Sequence, residues 1–70
     1  MSIFVVGDVV RMVTSGFVGF NGHWKRHPKG TILLILDEEE KSYYRVFSSE
    51  FCSVGMKRIG WDDPAFERIA

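Results

Sequence analysis

The stretch from His23 to Lys29, HWKRHPK, places an aromatic ring among basic side chains and contains no acid. The indole of Trp24 offers a flat face on which a base, an arginine or a proline can stack, and the basic groups attract phosphates and carboxylates. This composition predicts a binding site for an acidic protein surface or a nucleic acid, with an affinity that falls as salt is added. Lys57 and Arg58 extend the site if their segment lies beside it. The candidate binding residues are therefore His23, Trp24, Lys25, Arg26, Lys29, Lys57 and Arg58.

Trp24 has a competing use in the core. A chain of 70 residues builds only a thin core, and this one has six Phe, two Trp and two Tyr with which to fill it. A large aromatic side chain buries roughly 150–250 Å². An inward Trp24 would close the core while the neighbouring charges stay in water, and the sequence leaves both orientations open.

A metal or catalytic centre is not expected. His23 and His27 stand four residues apart and Cys52 adds a soft ligand, which on a helix would bring two imidazoles to one face. Pro28 argues against a helix, and no fourth ligand is evident, so we expect neither metal nor cofactor. Cys52 has no histidine–acid frame, and as the single cysteine it excludes an internal disulfide and fits a reducing compartment. We therefore expect that the protein is not an enzyme.

Glycine recurs at every third position between residues 16 and 22, interleaved with Phe17 and Phe20. This spacing resembles a phosphate-binding glycine loop, but the Lys-Ser/Thr ending of a P-loop is missing. We interpret Ser15–Gly30 as a long mobile loop whose aromatic side chains pack against the domain. Asn21-Gly22 is a turn dipeptide within it.

Four consecutive acids run from Asp37 to Glu40. Their usual role is to keep a loop tip soluble. Contact with a basic partner and a weak cation site are the alternatives, although four adjacent acids lack the spacing of a calcium loop.

These side chains must be held by the segment Thr31–Phe47, which reads as a hairpin. Ile32–Leu36 and Tyr43–Phe47 are rich in branched and aromatic residues, and the polar residues Asp37–Ser42 predict the turn between them. Alternation places Tyr44 and Val46 on one face.

The remaining segments predict three shorter elements. An early strand should turn Val10 and Met12 to one face. Met56–Trp61 predicts a further strand, with Gly60 as a bulge. Asp62-Asp63-Pro64 has the composition of a helix start, although a turn followed by a short strand at Phe66–Ile69 is equally consistent.

Size and charge limit the class of protein. The 70 residues predict one domain, and their 46% hydrophobic content argues against disorder. The formal net charge is zero, which argues against coating nucleic acid through charge alone. The longest uncharged apolar run, Ile32–Leu36, is too short for a membrane span and no signal peptide is evident, so we expect a cytoplasmic protein with no membrane contact.

The arrangement resembles the SH3-like barrels. The resemblance rests on Gly7-Asp8-Val9-Val10-Arg11-Met12 as first strand, Gly30-Thr31-Ile32 entering the second, Tyr44-Arg45-Val46-Phe47 as third and Phe66-Glu67-Arg68-Ile69 as the closing strand. It covers nearly the whole chain. It implies an all-β domain, residues 1–70, folded as a small five-stranded SH3-like barrel with a long loop after the first strand and a single helical turn near the C-terminus.

Two subgroups of these barrels are similar to the chain. Nucleic-acid-associated barrels share the Gly-Asp-x-Val opening, and the small peripheral subunit of photosystem I has nearly this length, which would imply docking of an acidic redox protein. The sequence therefore predicts a non-catalytic binding module. The alternative is a structural subunit or homodimer that packs through the apolar face of Ile32–Leu36 and Phe47, in the manner of a small phage or prophage accessory protein.

Overall fold

The computed structural model describes residues 4–40, 42–59 and 64–69. These residues form strands and turns, and none of them lies in a helix that could cross a membrane. The strands are β1 (Val9–Met12), β2 (Gly16–Phe20), β3 (His23–His27), β4 (Ile32–Glu40), β5 (Tyr43–Ser48), β6 (Ser53–Arg58) and β7 (Phe66–Arg68).

All seven strands belong to one antiparallel sheet in the order β3-β2-β6-β5-β4-β1-β7. The sheet curls into a half-barrel, with β3 and β7 as its edge strands. The predicted all-β class is confirmed. The five strands implied by the resemblance are wrong, because the segment before Thr31 contributes two additional strands.

That segment, Ser15–Gly30, folds as a β-hairpin instead of a mobile loop. Five residue pairs join β2 to β3, from Gly16–His27 to Phe20–His23. The connecting Asn21 and Gly22 both have positive φ, 50° and 81°, as a type I′ hairpin turn requires. The turn dipeptide was predicted, but the strands on either side of it were not.

The central hairpin is confirmed, with a shorter turn than predicted. β4 continues to Glu40, so the acids belong to the strand rather than to a bend. Pairing with β5 is preserved by two register shifts, between Ile35 and Asp37 and between Glu38 and Glu40. Such bulges disrupt the ladder locally, and pairing resumes beyond each one. Glu38, Glu39 and Glu40 are exposed, whereas Asp37 is half-buried.

The C-terminal part follows one of the two alternatives. Phe66–Arg68 forms β7, which pairs with β1, and Pro64–Ala65 is a turn. The predicted helix start at Asp62-Asp63 and the bulge at Gly60 lie outside the described residues. The preceding strand, Ser53–Arg58, begins three residues before the predicted Met56, because it pairs with β5 over its whole length. The predicted end of that strand, Trp61, lies outside the described residues.

The core lies on the concave face of the sheet. Alternation was predicted correctly there, since Val10 and Met12 of β1 and Tyr44 and Val46 of β5 are all buried. Burying one such side chain contributes roughly 1.5–3 kcal/mol. The buried apolar residues among those described are Phe4, Val10, Met12, Val18, Leu33, Ile35, Tyr44, Val46 and Ile59.

Candidate binding surface

The outer face of the sheet carries a row of alternating arginines and aromatic rings. Arg26 pairs with Phe17 across the β2–β3 hairpin, and Arg58 pairs with Tyr43 between β6 and β5. The antiparallel register that pairs Gly19 with Met56 sets Phe17 opposite Arg58. Paired residues project from the same face of a sheet. The arginine–aromatic row therefore comprises Arg26, Phe17, Arg58 and Tyr43, and crosses four strands over roughly 14 Å.

Trp24 points outward, next to this row. Its side chain is 58% exposed, and the side chain of Phe17 is 53% exposed. The indole packs over Gly19 of β2. A Cβ added to Gly19 would lie 3.3–3.5 Å from three carbons of the indole ring. Glycine at this position leaves the room that the ring occupies. The orientation that the sequence left open is therefore the one that a binding site requires.

The two arginines of the row carry no carboxylate ion pair among the described residues. Arg26 donates a long hydrogen bond of 3.4 Å to the Ser15 hydroxyl. The guanidinium carbon of Arg58 lies 6.0 Å from the centroid of the Tyr43 ring. Both positive charges are thus available to an anion. Arg26 also lines a shallow cleft of about 420 Å³ with Ser15, Pro28 and Lys29.

The other predicted residues lie elsewhere. Lys25 pairs with the fully buried Val18, so it projects from the core side of the sheet near its edge, where it is exposed. Lys57 pairs with the buried Tyr44, and its ammonium lies 5.5 Å from the centroid of the Phe66 ring. The strand that holds Lys57 and Arg58 does lie beside β2, as the prediction required. Because the two residues are adjacent on a strand, only Arg58 reaches the outer face.

His23 projects from the opposite face of the sheet to Trp24, because it pairs with the half-buried Phe20 on the core side. His27 follows four residues later on the same side and is completely buried. Within residues 4–40, 42–59 and 64–69, no three His, Cys, Asp or Glu side chains are grouped so as to hold a metal ion. Cys52 is free and exposed.

Buried His27 is hydrogen-bonded through both of its ring nitrogens. Its Nδ1–H donates to the Lys25 carbonyl at 3.0 Å, since a carbonyl only accepts. Its Nε2 then accepts from the Ser48 hydroxyl at 2.7 Å. The ring stacks on Phe20 at 5.8 Å between centroids and meets the ring of Phe51 edge-on at 4.9 Å. This residue therefore anchors the β2–β3 hairpin to the end of β5.

A second cleft of about 510 Å³ opens beside Trp24. Its apolar walls are formed by Trp24, Tyr43 and Met56. Two acidic residues, Glu39 and Glu40, also line it. Gly19, Asn21 and Gly22 line the remainder. We call it the Trp24 cleft. The cleft brings Trp24, a predicted binding residue, together with the acidic run Asp37–Glu40, which the sequence analysis did not connect with it.

An apolar row crosses the same outer face further along the strands. Val54 pairs with Phe47, Phe47 with Leu34, and Leu34 with Val9. Val54 and Phe47 are 50% and 37% exposed, and the other two are half-buried. This is the surface on which the predicted oligomer would pack.

Comparison with protein-family models, with curated proteins and with solved structures gave no match to this chain. The resemblance to SH3-like barrels therefore stays a prediction.

Sequence reasoning missed Phe17 and Tyr43 as members of the surface. The sequence does contain a signal for Phe17. If Gly19 is accepted at an outward position, GFVGF alternates, with Val18 and Phe20 inward and Phe17 outward. Tyr43 was not assigned to a site, because the β5–β6 pairing that sets it beside Arg58 has no local sequence signal.

Proposed function

We propose that this protein is a non-catalytic module that binds single-stranded nucleic acid on the outer face of its sheet. The observation that carries the proposal is the arginine–aromatic row, in which exposed Phe17 and half-buried Tyr43 alternate with two arginines across four strands. Neither arginine has a carboxylate ion pair among the described residues. An exposed free thiol at Cys52 fits the reducing cytoplasm that the sequence predicts.

The aromatic members supply sequence-tolerant contacts. Phe17 and Trp24 are more than half exposed and lie on the same face. Every base has a flat face, and stacking of a base on an aromatic side chain is worth about 1–3 kcal/mol. A duplex conceals those faces, so the row favours single strands.

The charged members supply attraction to the backbone. Arg26 and Arg58 flank Phe17 in the row, and Lys29 shares the cleft beside Arg26. At the β4 end the row meets Glu40, which pairs with Tyr43 and repels phosphate. The bound nucleic acid should therefore run from Arg58 toward Lys29 and away from the acidic residues. With a net charge of zero, the affinity should be modest and strongly salt-dependent.

The test is the double variant Arg26→Gln and Arg58→Gln. Fluorescence anisotropy of a labelled oligothymidylate of roughly 12 nucleotides should show binding at low salt that the double variant weakens about tenfold. Because two phosphate contacts are lost, the slope of log K against log salt should become shallower by about 1.4.

Arg11→Gln is the matched control, since Arg11 is also exposed but already paired with Glu67 at 3.0 Å. It should leave the affinity nearly unchanged. Equal weakening by the control, or no binding by the parent protein, would reject the proposal. A polyglutamate that binds where the oligonucleotide does not would assign the row to an acidic protein instead.

A homo-oligomer is the second candidate, favoured by the contiguous apolar row of Val54, Phe47, Leu34 and Val9. Sedimentation at micromolar concentration separates the two: a tight dimer favours the oligomer, and a monomer favours the nucleic-acid module.

A further inference from the structure

We propose that the Trp24 cleft is a second site, which binds an organic ammonium ion. It differs from the proposed nucleic-acid surface in charge and in position along the sheet. Trp24 and Tyr43 border both surfaces, but the carboxylates of Glu39 and Glu40 belong to the cleft alone. The inference does not rest on nucleic-acid binding.

The cleft has apolar, polarisable walls that are already in place. Trp24 is laid against β2 by the absence of a side chain at Gly19. Tyr43 is fixed by β-sheet pairing on both sides, with Glu40 on β4 and Arg58 on β6. Among the described residues, no cation or other ring is stacked on Trp24. Its face is therefore free to attract a cation, and indole is the best ring for that contact.

The carboxylates at the cleft are incompletely neutralised. Arg45 pairs through its terminal nitrogen with Asp37, and its Nε lies 4.0 Å from Glu39. Glu40 has no ion-pair partner among the described residues. The negative charge left on Glu40 and partly on Glu39 complements one positive charge in the cleft.

The chemistry of the walls selects an organic cation over a metal ion. A metal ion requires several oxygen, nitrogen or sulfur ligands, and the described residues do not provide a cluster of three. Methyl or methylene groups around a positive nitrogen instead contact both rings and the Met56 thioether while the charge faces the carboxylates. A cleft of about 510 Å³ admits a group of this size.

The probe is choline, compared with its neutral isostere 3,3-dimethylbutan-1-ol. Binding is followed by the shift of the Trp24 indole N–H in ¹H–¹⁵N NMR spectra, assigned with a Trp24→Phe variant. Choline should move this signal saturably, and the isostere should bind at least fivefold more weakly because it lacks the charge. A peptide with one trimethyllysine separates the sources: much tighter binding assigns the cation to a partner protein, and equal binding assigns it to a small molecule.

Two variants locate the site. Glu40→Gln should weaken choline binding about threefold to tenfold through loss of the nearby charge. Trp24→Ala, followed through the backbone amide signals of Gly19 and Gly22 in the cleft, should abolish it. Glu50→Gln is the matched control, because Glu50 is exposed in the β5–β6 turn and does not line the cleft. Arg58→Gln, which weakens oligonucleotide binding, should not weaken choline binding, so the two proposals can fail separately. Equal affinity for choline and the neutral isostere, or equal losses in Glu40→Gln and Glu50→Gln, would overturn the proposal.

Discussion

Replacing His27 with alanine is expected to lower the free energy of unfolding by about 3–4 kcal/mol. The imidazole is completely buried and packs against Phe20 and Phe51, so its removal leaves a cavity. It also takes away the acceptor of the Ser48 hydroxyl and the donor to the Lys25 carbonyl. A domain of this length has about 4–10 kcal/mol of stability, so urea denaturation should detect the loss as a large fall in midpoint.

His23→Ala is the matched control on the same strand. His23 is exposed, and its replacement should change stability by less than about 0.5 kcal/mol. A midpoint for His27→Ala within error of the parent would show that the hairpin is not anchored in this way.

Gly55→Ala is expected to destabilise the domain by about 2–3 kcal/mol, because β6 and β2 approach each other closely at this residue. A Cβ at Gly55 would lie 2.6 Å from the Gly19 carbonyl oxygen and 2.8 Å from Cε1 of Phe20. The backbone oxygen cannot move without breaking the pairing that carries Arg58 beside Phe17. Thermal or urea unfolding measures the loss, and binding at the outer face should fall with it.

Gly16→Ala distinguishes this contact from a general intolerance of alanine. A Cβ at Gly16 would meet only the Met12 methyl group at 3.1 Å and the Lys57 ammonium at 3.5 Å, both ends of flexible side chains. Its cost should be below about 1 kcal/mol. If both variants unfold at the same denaturant concentration, the β2–β6 approach is not the constraint inferred here.

The fold could be predicted from sequence wherever buried apolar residues alternate without interruption. Val10 with Met12 and Tyr44 with Val46 show the period of two, because each pair faces one core. The β2–β3 hairpin was missed because glycine occupies one outward position of β2, Gly19, and one inward position, Gly16, which interrupts the alternation on both faces. The bulges of β4 were also hidden, since a register shift is decided by the partner strand and leaves no local mark.

The site was predictable only in part, for the same reason. Trp24 and Arg26 could be found from their residue types on one stretch, whereas Phe17 and Tyr43 enter through strand pairing. Lys57 and Arg58 are adjacent in sequence but do not belong to one site. Neighbours on a strand project to opposite faces, and only Arg58 joins the row.

The most direct test of the arginine–aromatic row is an amide ¹H–¹⁵N NMR titration of the protein with oligothymidylate at low salt. We expect the shift changes to concentrate on β2, β3 and β6, around Phe17, Arg26 and Arg58, and to fade in the Arg26→Gln, Arg58→Gln variant. Changes centred on the apolar row of Val54 and Phe47, or spread evenly over the sheet with no response to the arginine substitutions, would contradict it.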